Sequence, residues 1–236
     1  MTLDEMLTDL NKRIGSTPEV PNVNMTTWIN QAQRGFCAEH DFDWLEKKVT
    51  TSTVADQEDY TLPTDFKNIV EVQIDGSTAK PTPYRYTSHE MRVLESNTNK
   101  TFSIFNGVMK MHPAPTSTGL NNLEMWYIKK PVDLSAGSDS PSDDSKASMP
   151  EEFHEALVIY AFSVYNTYDE EHDEARALMG SQRSNMPGTY HYIVNLAIRD
   201  SEKRKRGQRT KIIQNKRLFG YVHPNRTTSS TTVLGN

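Results

Sequence analysis

The sequence predicts an α+β protein: a helical bundle with an inserted small antiparallel β domain and an extended C-terminal tail. Three observations predict it. Apolar residues recur at helical spacing over residues 1–44 and 150–206, alternate at strand spacing over about 45–132, and follow neither period after 207. A polar linker, 133–149, joins the β domain to the second set of helices.

The first helix is expected around Leu3, Met6, Leu7, Leu10 and Ile14, with Asp4 and Glu5 at its positive end. Gly15, Pro18 and Pro21 break it. A second helix places Met25, Trp28, Ile29, Ala32 and Phe36 on one face and ends near Phe42 and Trp44. The period then changes. Val70, Val72 and Ile74 alternate with Glu71 and Gln73 and meet Asp75-Gly76, a hairpin signal. Phe102, Ile104 and Phe105 lead into Asn106-Gly107, the favoured two-residue turn, and Val108, Met109 and Met111 return. Leu123, Met125 and Tyr127 make a further strand, and a short helical turn is expected over Ser88 to Leu94. Past the linker, Pro150 opens a helix whose first turns carry Glu151, Glu152 and Glu155. Its apolar stripe is Phe153, Ala156, Leu157, Tyr160, Ala161 and Val164. Ala175, Leu178 and Met179 suggest another helix; after Pro187-Gly188 the pattern restarts at Tyr190, Ile193, Val194, Ala197 and Ile198.

Apolar residues make up 35% of the 236 positions, against a globular norm of roughly 45–50%. Mean hydropathy is −0.70. Part of the chain is therefore expected to be solvated, extended or ordered by a partner. A net charge of −5 gives no whole-chain nucleic-acid signature. Cys37 is the single cysteine, which excludes an intrachain disulfide and a cysteine-rich zinc site. The first residues are acidic and lack the basic and apolar regions of a signal peptide, and no apolar run approaches a membrane span.

Catalytic signatures are missing: there is no phosphate loop, no dinucleotide glycine fingerprint and no nucleophile elbow. No catalytic residue, metal or cofactor is therefore expected. Glu151 and His154 have the i, i+3 spacing of di-iron carboxylate bundles, and Asp169 and His172 repeat it loosely. In one continuous helix the two histidines would stand about 27 Å apart, so the acids read better as dipole partners and the histidines as surface or capping residues. Cys37 reads as a small core or boundary residue, and Trp28, Trp44 and Trp126 as packing rather than stacking platforms.

The segment from Arg199 to Arg217 is different. Arg199, Lys203, Arg204, Lys205, Arg206, Arg209, Lys211, Lys216 and Arg217 face only Asp200 and Glu202. Docking to a partner, a solvated helix end and direct DNA contact all fit a cationic run. The apolar residues Ile212, Ile213, Leu218, Phe219 and Tyr221 in and beyond it favour docking. The candidate docking set is Arg204, Arg206, Arg209, Lys211, Ile212, Ile213, Arg217, Leu218, Phe219 and Tyr221.

Several pieces recur in a familiar order. A helix with Trp28, Ile29 and Arg34 runs into Phe42 and Trp44; Tyr60, Leu62, Pro63, Asp65 and Phe66 precede the Ile69–Gly76 strand. The Phe105–Met111 hairpin then leads to Pro113 and Pro115, the Trp126-Tyr127 strand, Lys130-Pro131, and the helix that starts after Met149 and Pro150. Over about residues 23–165 this resembles the head-to-tail adaptors of tailed bacteriophages, including the tail tubular proteins of short-tailed phages. The resemblance implies a homo-oligomeric ring, usually a dodecamer, below the portal protein. Such a ring continues the channel for genomic DNA, which passes without sequence-specific contact, and presents a surface to the next tail or nozzle protein. It also implies a virion component made and assembled in the host cytoplasm, with no membrane contact and no enzyme activity. In several family members the C-terminal tail grips the portal. The alternative is a sequence-independent nucleic-acid-binding module using residues 199–217.

Overall fold

The computed structural model describes residues 1–15, 21–83, 100–181 and 186–218, with side chains as far as 206. The expected turn over 88–94 lies outside these residues. The chain divides into two compact units, Met1–Ser201 and Glu202–Asn236.

Helix α1 (Leu3–Ile14) begins on a reciprocal cap: the Thr2 hydroxyl accepts from the Glu5 amide and the Glu5 carboxylate accepts from the Thr2 amide. It buries Leu3, Met6 and Leu10. Helix α2 (Asn22–Glu39) starts after Pro21 and buries Met25, Trp28, Ile29, Ala32 and Phe36, the face its spacing predicts. These side chains share one core with helix α3 (His154–Tyr168) and the start of helix α5 (Tyr190–Leu218). An aromatic chain runs through it: Phe36 stacks on Phe42 at 5.5 Å, Phe42 on Trp44 at 4.3 Å and Trp44 on Phe153 at 5.7 Å. Helix α4 (His172–Met179) packs against α3.

Among the described residues, eight strands lie between α2 and α3, in two four-stranded sheets. The first has the order β1 (Glu46–Thr53), β8 (Gly119–Lys129), β3 (Phe66–Ile74), β4 (Ser77–Thr78); the second has β2 (Asp59–Thr61), β7 (Val108–His112), β6 (Thr101–Phe105), β5 (Lys80–Pro81). Their facing sides make a second core of Tyr60, Val72, Ile74, Phe102, Met109, Met111, Leu123, Met125 and Tyr127. Both predicted hairpins are present. Asp75 and Gly76 (φ 52° and 72°) turn β3 into β4, and Asn106 and Gly107 (φ 47° and 76°) turn β6 into β7. The first and last strands of the block pair with each other, Glu46 opposite Ile128 and Thr51 opposite Leu123. One pair departs from the expected antiparallel pattern: β5 runs parallel to β6, Lys80 opposite Thr101.

Two expected boundaries change. Residues 133–149 are a fixed loop rather than a linker, because Leu134, Ala147 and Met149 are buried among the helices. Helix α5 also continues through Gly207 to Leu218 instead of giving way to an extended tail at 207. Lys, Arg and Gln are good helix formers, Glu202 pairs with Arg206 one turn on, and one interior glycine costs only about 1 kcal/mol.

Candidate docking surfaces

Of the titratable groups that the sequence singled out as possible chemistry, His154 and Cys37 are buried, whereas Glu151, Asp169 and His172 are exposed. His154, expected at the surface, is fully buried. Its Nε2 lies 3.2 Å from the Met149 carbonyl and 3.1 Å from the Ser142 hydroxyl; its Nδ1 lies 2.9 Å from the Met1 amine. The ring thus ties the 133–149 loop and the front of α1 to the start of α3. Burial holds its pKa below the ordinary imidazole value. Glu151 does not join it in a ligand set, and among the described residues no group of three or more His, Cys, Asp or Glu side chains is placed to hold a metal.

The same loop is pinned from two other sides and braced within itself. Asn30 on α2 donates to the Leu134 carbonyl at 3.0 Å and accepts from the Leu134 amide at 2.8 Å, a buried two-way clamp. Lys129, at the end of β8, is 5% exposed and donates to the Asp144 carbonyl and to the Ser148 hydroxyl, at 2.8 Å for the latter. Burial lowers its pKa, with Asp144 opposing the shift. Asp139 accepts from Lys146 at 2.8 Å and from the Ser135 and Ala136 amides, which holds its carboxyl well below the usual range. At the base of the sheets Asp65 meets Lys47 at 2.8 Å and the Tyr127 hydroxyl at 2.7 Å. Burial opposes ionisation of Asp65, but these two bonds outweigh it and keep the carboxyl low. Cys37 is buried, and desolvation pushes its thiol up to about 12, so it is no nucleophile at neutral pH.

The tryptophans pack. Trp28 stacks on Tyr168 at 5.7 Å, Trp44 sits in the aromatic chain, and Trp126 lies on the outer face of the first sheet under the Lys48 ammonium at 4.7 Å. A cleft of about 480 Å³ opens between β1 and β2 and is lined by residues such as Val49, Tyr60, Met109 and Met125. The ionisable residues of its lining are Asp59, which is exposed, and Tyr60, which is buried.

The cationic segment is the other candidate surface. Arg199, Lys203, Arg204 and Arg206 are exposed along α5. Arg209, Lys211, Ile212, Ile213, Arg217 and Leu218 continue on its helical backbone, with side chains outside the described set; Phe219 and Tyr221 lie outside the described residues altogether. Sequence reasoning missed the buried Asn30 and Lys129. Each is a polar residue at a core-facing position, and its partners lie in a loop whose own sequence reads as solvated.

The buried polar groups thus brace loops, while cationic side chains of α5 stay exposed. The class of protein comes from comparison with known families. The chain belongs to the SU10 adaptor protein family, whose description matches residues 1–190. It is therefore a phage adaptor, a structural component of a virion that works by contact with other head or tail proteins. No curated protein matches the sequence. No helix among the described residues is long and apolar enough to cross a membrane.

Proposed function

We propose that this chain is a head-to-tail adaptor of the ring-forming kind, akin to the tail tubular proteins of short-tailed phages. Helices α1–α5 act as a bundle that carries the β block over 45–132 as an insertion. Copies assemble as a closed ring, a dodecamer in the usual family arrangement, below the portal protein. The ring extends the DNA channel and offers its far side to the next tail or nozzle protein. DNA-filled heads acquire it during assembly in the host cytoplasm.

The observation that carries this reading is where the family match stops. It ends at Tyr190, the first residue of α5, so the shared scaffold comes first and the cationic segment extends beyond it. A segment rich in cations and then in Ile212, Ile213, Leu218, Phe219 and Tyr221 suits ordering against a partner, with Arg204, Arg206, Arg209, Lys211 and Arg217 supplying its charge. Deleting residues 207–236 is the test. Heads assembled with the truncated chain should carry little adaptor; normal occupancy would refute portal docking by this segment.

A second reading, sequence-independent nucleic-acid binding by 199–217, draws on the exposed row Arg199, Lys203, Arg204 and Arg206. It predicts that the purified protein binds duplex with an affinity falling steeply as salt rises, with a log–log slope of about −0.9 per phosphate neutralised. Portal docking predicts weak duplex binding and saturable binding to the portal.

A further inference from the structure

Helix α3 has almost no polar face. The core takes Ala156, Leu157, Val158, Ile159 and Ala161, yet Phe162, Val164 and Tyr165 remain half-buried and Tyr168 is 74% exposed. Phe162 and Tyr165 stack with ring centroids 6.3 Å apart. A helix that is apolar nearly all round is ordinarily covered on every side. The aromatic strip ends in acids: Asp169, Glu170, Glu171, Asp173 and Glu174 are all exposed. Neighbouring Glu174, with Asp169 behind it, pushes the Glu171 carboxyl up; Arg176 stands 3.7 Å from Asp173 in the same cluster.

A complementary stripe lies on α5. Tyr192, Leu196, Arg199 and Lys203 fall at i, i+4, i+7 and i+11, so they share one face. Tyr192 is half-buried; Leu196, Arg199 and Lys203 are exposed. The stripe is apolar at one end and cationic at the other, the counterpart of an aromatic strip that ends in carboxylates. The charge division points the same way. Residues 199–217 hold nine cationic side chains and two acids, a balance of +7, which leaves −12 on the rest of a chain whose total is −5.

We propose that these two faces meet between neighbouring copies: Tyr192 and Leu196 of one copy cover the aromatic strip of the next, and Arg199 and Lys203 meet its acidic end. The inference rests on the ring reading and gives that ring its contact. In the ring reading the contact is heterologous: each copy gives one face to each of two neighbours, and the series closes only by going round. It ends at Lys203 and leaves Arg204 onwards for the portal.

The test uses assembled particles whose adaptor carries both Tyr168→Cys and Leu196→Cys. Cys37 is buried, so the background is low. Under mild oxidation the double variant should give a ladder of covalent multimers on a non-reducing gel, while either single variant gives monomer. Separately, Arg199→Glu with Lys203→Glu should cut adaptor occupancy about tenfold, and adding Glu171→Lys with Asp173→Lys should restore most of it. Dimers from a single variant, or a double variant whose cross-linking stops at the dimer, would mean a two-fold contact and overturn the proposal. Rings of normal occupancy with no ladder and no response to charge reversal would overturn this contact while leaving the ring reading intact. Particles in which imaging finds no adaptor ring would overturn both.

Discussion

Replacing Asn30 by alanine removes both halves of the clamp on Leu134. The mutation leaves one backbone amide and one carbonyl without their partner, next to a side chain 2% exposed. Each orphaned buried group costs about 1–3 kcal/mol. Alanine returns roughly 0.5 kcal/mol through its higher helix propensity. The net expectation is a loss of about 1.5–5.5 kcal/mol, which for a unit of this size lowers Tm by roughly 3–22 °C. Urea denaturation gives the free energy, and hydrogen exchange at the Leu134 amide gives the local cause. Arg34→Ala is the control: its ion pair with Asp133, at 2.9 Å, joins the same helix to the same loop, but both side chains are about half exposed. That pair should contribute under about 1 kcal/mol. A loss below about 0.5 kcal/mol for Asn30→Ala, with exchange at Leu134 unchanged, would refute the claim that α2 fixes the loop.

Acid should loosen the same region through His154. Its imidazole pKa is depressed in the fold, so the unfolded chain binds the proton more readily. Stability is full above the unfolded value of about 6.5 and falls as pH drops through it, by at most about 1.4 kcal/mol per pH unit from this one group. Glu151 and the Met1 amine are the charged groups beside it, and His154→Asn should flatten the slope over that window in a pH series of urea midpoints. At Gly107, where φ is +76° and a Cβ would meet nothing within 4 Å, alanine should cost about 1–2 kcal/mol from backbone strain alone; a neutral result by thermal melting would mean the turn adopts another form. Cys37 should resist alkylation in the native protein at pH 8 and react fully in urea, as mass spectrometry can read.

Sequence revealed what is local. Asn106-Gly107 and Asp75-Gly76 each demand positive φ at two adjacent positions, and that demand is visible without any knowledge of the rest of the fold. The buried faces of α1 and α2 were legible for a similar reason, since each repeats at one period. What escaped depends on partners far along the chain. His154 looked like a surface group because Ser142 and Met1, which receive it, lie in segments that carry no mark of burial. The 133–149 loop looked like a linker because its Ser and Asp residues are polar; they are spent on local turns, such as Asp143 accepting from Ser140, and its few apolar residues do the anchoring. The parallel β5–β6 pair left no signal at all, since neither two-residue contact has a period to read. On the docking side, the charge of α5 is plain in the sequence, while Phe162, Tyr165 and Tyr168 lie off the apolar stripe that the spacing of α3 predicts.

The pairing of β1 with β8 has a mechanical consequence. Both strands leave the helices at the same end, where Glu46 lies opposite Ile128. A pull that separates those two points would load the ladder one rung at a time, as in opening a zip, instead of stretching all its bonds together. Peeling of that kind resists little force, so the first rungs need reinforcement. Leu45 and Ile128, sunk in the helical core, and Lys47, joined to Asp65, sit at that end. The strength of the β block would then be set at its hinge line and not by the extent of its sheets.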